Sequence, residues 1–344
     1  MPALPRAALT FAVGLVVAAC AAGPGASPGC GCSQPPAAST AVLTPLNVGL
    51  GYIPSVQFAP FYLAQQKGYY KDAGLEVTFE NKVDPDLITL TGSGAMDLSV
   101  ADGTDVIPAV SQGIPIQYIA TLYGTYPSIG FAKASSGIKT AADLKGRKIG
   151  IPGKYGSSWI MLQALLHSVG LTPDDVTILE YPDYGQGAAV QQGAVDAATG
   201  FSNNEPLQLQ QAGIPVVVLH VDNVVALPGP GLIASKATLT SKHDAIVAFV
   251  AATLKAMKEV AATPSVGMAA SASALPIASA DVATQHAVLA ATIATWSSPS
   301  GAAFGTIDHA GWQASIDYMT TLGLVPNKVT VDQLVRTDFL PSGS

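Results

Sequence analysis

Apolar positions along this chain change their spacing twice. A run from Ala7 to Ala19 follows the single charge of Arg6. Residues 21–45 then show no period at all and are rich in Ala, Gly, Pro and Ser. From Leu46 onward short apolar runs alternate with helical patterns. The spacing predicts a strand at Leu46–Leu50, a loop through Tyr52-Ile53-Pro54, a helix at Phe58–Lys67 and a strand at Leu75–Phe79. Further strands are expected at 98–101, 116–121, 149–151, 176–179, 197–200 and 216–218. Such alternation points to α/β layers in which each lobe is a doubly wound, mostly parallel sheet with flanking helices. Ligands of such sheets bind at the carboxyl ends of the strands.

Two extended stretches, 129–134 and 231–236, read as crossings between lobes. They divide the body into a first lobe of 46–132 with 235–341 and a second lobe of 133–234. Beyond Lys236 the chain is Ala-rich, with helices expected at 245–260, 281–296 and 312–322. Two crossings make a hinged pair of lobes with a cleft between them, a geometry suited to closing on a small molecule.

Composition narrows the class. Hydrophobic types make up 49% of 344 residues and charged types 11%, enough apolar matter for two cores. The net charge of -7 offers no basic footprint for nucleic acid. Mean hydropathy is +0.38, yet internal apolar runs such as Ala245–Leu254 fall well short of the ~20 residues a bilayer span needs.

Residues 1–20 have the charged start and short apolar core of an export signal. The segment ends in Val17-Ala18-Ala19-Cys20, which resembles a bacterial lipobox and implies lipidation at Cys20. The alternative is an ordinary signal peptide cut nearby. Residues 21–45 read as a flexible tether. All three cysteines, Cys20, Cys30 and Cys32, precede the body, so the body holds no disulfide framework and no cysteine metal site.

Gly51-Tyr52-Ile53-Pro54-Ser55-Val56-Gln57-Phe58-Ala59-Pro60-Phe61-Tyr62-Leu63-Ala64, then Lys67-Gly68-Tyr69-Tyr70 and Ala73-Gly74-Leu75-Glu76-Val77, resemble the opening of the type II periplasmic substrate-binding proteins. Within that family they are similar to the branch related to the thiamine-pyrimidine synthases. Asp143-Leu144-Lys145-Gly146-Arg147-Lys148-Ile149-Gly150 and Asn203-Asn204-Glu205-Pro206 extend the likeness, which runs from Leu46 to about Thr263. The resemblance implies a two-lobed α/β fold. It also implies a monomeric lipoprotein that feeds an ABC permease and its ATPase, carries no cofactor and binds a flat heteroaromatic vitamin such as riboflavin or a thiamine pyrimidine precursor. Relatives outside the branch take alkanesulfonates, taurine or nitrate. The synthases carry a cysteine-rich motif that this body lacks, which argues against synthase chemistry.

Candidate ligand contacts cluster after the expected strands. Tyr52, Gln57 and Phe58 follow the first, offering rings and an amide that both donates and accepts; Phe58, with Phe61 and Tyr62, equally suits packing of a helix on its sheet. Asp102 and Thr104 follow the strand ending at Ala101 and serve either as ligand contacts or as helix caps. A carboxylate there suits a ring N–H or amino group and repels an anion. Tyr123 and Tyr126 stand near the first crossing, as cleft wall or hinge packing. Tyr155, Ser157, Ser158 and Trp159 begin a helix, with Trp159 equally suited to the core and Ser157 to capping. Asn203, Asn204 and Glu205 follow Gly200 and can read the edge of a heteroaromatic ring; turn chemistry also favours Asn there.

The five histidines are scattered, with no His-Glu-x-x-His spacing, and no Gly-x-Ser-x-Gly elbow occurs. Neither a metal site nor a catalytic constellation is expected. An anion receptor would need a cation in the cleft, and Lys154 is the only basic residue beside the candidate motifs.

Overall fold

The computed structural model describes residues 42–82, 84–222, 224–276 and 281–341. The expected leader, the lipidation position Cys20, and Cys30 and Cys32 lie outside the described residues.

Ten strands form two sheets of five. They are β1 (Thr44–Leu50), β2 (Leu75–Asn81), β3 (Leu98–Asp102), β4 (Ile116–Thr121), β5 (Ser128–Lys133), β6 (Lys148–Ile151), β7 (Thr177–Glu180), β8 (Ala197–Phe201), β9 (Val216–His220) and β10 (Pro230–Ser235). One sheet runs β2-β1-β3-β10-β4 and the other β7-β6-β8-β5-β9, giving a two-lobed α/β fold. Strand β1 begins at Thr44, inside the stretch expected to be tether. The central strands are short apolar runs, and β3 and β10 are buried at every position, as expected where helices cover both faces.

The sheets are mostly parallel with one opposed strand in each, so four strands of every sheet share a direction. Pairs β1–β2, β1–β3, β6–β7 and β6–β8 are parallel, whereas β10 lies antiparallel to β3 and β4, and β5 lies antiparallel to β8 and β9. These two strands are the stretches that the pattern assigns to the lobe crossings. Each is the first strand after the chain has passed to the other sheet, so it enters through a short connection rather than a helical crossover. The passages themselves are residues 122–127 and 221–229. An extended linker and an extended strand share one local pattern, and only pairing distinguishes them.

Helices α1 (Ala59–Gln66), α2 (Tyr69–Asp72), α3 (Asp84–Ser93) and α4 (Gly103–Ser111) serve the first sheet; α5 (Gly156–His167), α6 (Gln186–Gln192) and α7 (Glu205–Gln211) serve the second. The C-terminal part adds α8 (Lys236–Ser241), α9 (His243–Ala262), α10 (Pro264–Ala274), α11 (Val282–Trp296), α12 (His309–Thr321) and α13 (Val331–Leu334). A pyrrolidine ring at Pro60 suits the first turn of α1, and the helix buries Ala59 through Ala64 against α9 and α10. Phe61 and Tyr62 therefore serve packing. Tyr70 stacks on Phe249 of α9 with ring centroids 5.0 Å apart, and its hydroxyl meets Thr253 Oγ1 at 2.9 Å.

Helix α12 touches both lobes. Trp312 meets Tyr118 of β4 edge to face, while Tyr318 Oη donates to the Ala164 carbonyl of α5 and Ser315 Oγ donates to that of Ala226 in the second passage.

Candidate functional site: an inter-lobe cleft

The carboxyl ends of β1, β3, β6 and β8 face a cleft enclosing about 810 Å³ of empty space, its mouth included. Ten of the fourteen sequence candidates line it: Tyr52, Gln57, Phe58, Asp102, Tyr123, Tyr155, Ser157, Ser158, Asn204 and Glu205. The other four do not. Thr104 is fully buried within α4, Tyr126 donates its hydroxyl to the Ser157 carbonyl at 3.0 Å, Trp159 packs against the second lobe's core, and Asn203 lies beneath the wall.

The first-lobe wall is held from below. Ser55 Oγ accepts from the Gln57 N–H and starts the helical turn that points Gln57 inward. Gln57 Oε1 accepts from Tyr123 Oη at 3.3 Å and from Asn203 Nδ2 at 3.2 Å. Asn203 Nδ2 also donates to Thr292 Oγ1 of α11 at 2.8 Å. This buried chain ties the second lobe to the first. At the mouth, Asn204 Nδ2 donates to Tyr52 Oη at 2.9 Å, and the Tyr52 and Tyr184 rings meet edge to face across the cleft, 4.8 Å apart.

On the second lobe, Glu205 sits beside β8. Its Oε2 accepts from the Phe201 N–H at 2.9 Å and its Oε1 accepts from Gln186 Nε2 at 3.3 Å. Gly200 permits this approach, since a Cβ there would fall 2.6 Å from Oε2. Burial pushes the Glu205 carboxyl up to about 7, only partly opposed by the Phe201 N–H. The Tyr52 hydroxyl is also pushed up, by burial first and then by the charge of Glu205. Behind the first-lobe wall, Asp105 is raised well above the usual carboxylate range by burial and by its neighbour Asp102.

Six aromatic rings and two carboxyl groups line the cleft, and among the described residues no Lys, Arg or His does. Lys154 is exposed outside it. The geometry therefore offers ring faces, hydrogen-bond acceptors and hydroxyl and amide donors, and no cationic side chain among the described residues. Asp102 holds the N-cap position of α4 without a side-chain capping bond, and Tyr155 holds that of α5, so Ser157 is not its cap.

Sequence reasoning passed over Tyr184 and Gln186. Both lie in the segment after β7, the same carboxyl-end position that flagged the other loops, and Tyr181-Pro182-Asp183-Tyr184-Gly185 carries evident turn chemistry. Tyr184 has φ of 59°, a left-handed backbone that costs a non-glycine residue roughly 1–3 kcal/mol.

Two α/β lobes with a ring-lined cleft between them define a solute-binding protein. Residues 55–266 match the family model described as NMT1/THI5 like, and the chain belongs to that family. It is 32% identical over 337 residues to the riboflavin-binding protein RibY of Chloroflexus aurantiacus, covering 96% of each chain. It is 28% identical over 166 residues to the 4-amino-5-hydroxymethyl-2-methylpyrimidine phosphate synthase THI13 of Saccharomyces cerevisiae, covering 47% of each. Among solved structures it shares the fold of the alkanesulfonate-binding protein SsuA from Xanthomonas axonopodis pv. citri bound to MOPS. That likeness has a TM-score of 0.68 at 21% identity and covers 86% of this chain and 98% of the other.

Proposed function

We propose that this protein captures riboflavin, or a closely related flat heteroaromatic vitamin or precursor, in the inter-lobe cleft and presents it to an ABC permease. The observation that carries the reading is the chemistry of the cleft: aromatic rings together with Asp102 and Glu205 and, among the described residues, no cationic side chain. Flat rings stack on such walls, and buried acceptors favour ligands with imide, amino or hydroxyl donors. A sulfonate or nitrate would meet two carboxyls and no positive partner, which disfavours the anion alternative. The full-length likeness to a riboflavin-binding protein supports the flavin over the shorter pyrimidine. A body without cysteine supports binding rather than the synthase chemistry of the shorter matches.

Export and lipidation at Cys20 would place the body outside the cytoplasm on a tether. Among the described residues no helix is long and apolar enough to cross a membrane. Lobe closure would give the permease a bound state to recognise.

The test is thermal unfolding of the full chain with riboflavin, hydroxymethylpyrimidine, thiamine, taurine and nitrate. A true ligand at 100 times its Kd stabilises the fold by about 2.7 kcal/mol. Stabilisation by riboflavin is expected; stabilisation by taurine or nitrate alone would overturn the reading. In cells, Cys20→Ser should release the protein from the membrane fraction.

A further inference from the structure

The turn from Tyr181 to Gln186 combines a strained backbone at Tyr184 with a buried, unpaired acceptor at Gln186. Tyr184 is, among the described residues, the one non-glycine position with a left-handed backbone. Glycine would adopt that conformation without strain. The position instead carries a ring that lines the cleft and meets Tyr52 of the opposite lobe at an interplanar angle of 75°. The ring's direction is set by its backbone: the Tyr184 N–H donates to the Tyr181 carbonyl at 3.0 Å, and the Gly185 N–H donates to Asp183 Oδ1 at 3.2 Å.

Two residues on, Gln186 is 1% exposed and lines the same cleft. Its Nε2 donates to the Thr199 carbonyl and to Glu205 Oε1, both at 3.3 Å. These bonds fix which way the amide points and leave Oε1 buried without a hydrogen-bond partner. Buried acceptors are rarely left unpaired, and strain at a cleft residue is retained where it serves binding.

We propose that this turn is the specificity element of the cleft. Tyr52 and Tyr184 form an aromatic corner that receives one face and one edge of a flat ligand ring, and Gln186 Oε1 accepts a hydrogen bond from a ring N–H. The inference deepens the riboflavin reading and rests on it, because the isoalloxazine ring carries an imide N–H between two carbonyls.

The test uses the full chain and three proteins: the parent, Tyr184→Gly and Gln186→Leu. Each is titrated with riboflavin and with 3-methylriboflavin, whose imide proton is replaced by methyl. Flavin fluorescence reports Kd, and thermal unfolding without ligand reports Tm. The parent should prefer riboflavin by about tenfold or more, the equivalent of one lost hydrogen bond. Tyr184→Gly should weaken binding by roughly tenfold while its unliganded Tm stays level or rises, because stacking is lost and strain is relieved. Gln186→Leu should lose the preference between the two flavins.

A Tyr184→Gly protein with parental affinity, or with its Tm lowered as a core truncation would lower it, makes Tyr184 a packing residue and overturns the proposal. Equal parental affinity for both flavins overturns the role of Gln186. A parent that binds no flavin overturns the proposed function itself and the turn's role with it, whereas a binding parent with unaltered variants overturns the turn alone.

Discussion

The two walls of the cleft are built differently. The first-lobe wall stands on a large continuous core in which Phe58, Phe61, Tyr70 and Phe249 pack with α9 and α10, so Tyr52, Gln57 and Asp102 project from dense support. The second-lobe wall stands on two smaller clusters and presents its polar groups from turns and short helices. It also carries the strained Tyr184, the unpartnered Gln186 Oε1 and the buried Glu205 carboxyl. Both lobes bury polar groups, the first holding Asp105 beside Asp102 with Asp105 Oδ2 unpaired, but among the described residues only the second adds backbone strain at its wall. A binding site needs both walls, since a rigid wall fixes geometry while the strained one supplies selectivity.

The largest effect that tests this contrast is a truncation in the first-lobe core. Phe249→Ala should lower unfolding free energy by about 3–5 kcal/mol in denaturant titration. A loss below about 1 kcal/mol would contradict the description of that lobe as the packed scaffold.

Next comes the pH dependence that Glu205 imposes on the second lobe. Its carboxyl ionises near 4.5 when unfolded and near 7 when folded, so between these values the folded chain holds more protons. Its contribution to stability is fully present below pH 4.5 and is lost as pH rises through 7, by roughly 3 kcal/mol. Glu205→Gln should flatten that part of the profile. An unchanged slope between pH 4.5 and 7 in the variant would mean that Glu205 is not the group responsible.

The buried chain between the walls is worth less. Asn203→Ala removes the donor to Gln57 and Thr292 and should cost about 1–3 kcal/mol. It should also shift the molecule toward more open conformations, visible as a larger radius of gyration in solution scattering. The smallest effect belongs to the mouth, where Tyr52 is only partly buried. Tyr52→Phe deletes the acceptor for Asn204 Nδ2 while keeping the ring, and should change stability by about 0.5–1.5 kcal/mol. A change as large as that of Phe249→Ala would dissolve the distinction between mouth and core.

Much of this organisation was legible in one dimension. Strands β1 to β4 and β6 to β9 follow from apolar runs with turn residues between them, and the rule that sheets present ligands at their carboxyl ends brought Tyr52, Asp102, Ser157 and Glu205 to notice. Strands β5 and β10 were not legible as strands, because an extended stretch looks the same whether it crosses a hinge or pairs with neighbours. Asn203 and Asn204 show the same limit at single residues. They are adjacent, of one type and on one loop, yet Asn203 is buried beneath the wall and Asn204 lines it. Nothing in their spacing separates them.

The sequence by itself determined the alternating α/β order, the family, the acidic and cysteine-free body and the loops from which a cleft must be built. These depend on local periodicity and composition, which the chain carries in its own order. Tertiary structure alone decided that two strands run antiparallel, that Gln57, Asn203 and Thr292 meet although 89 or more positions separate Asn203 from each partner, and that Gln186 keeps an acceptor unpaired at the cleft. These are properties of contacts between distant segments. A contact comes into being when both partners are brought to one place, and no local pattern records which place that will be.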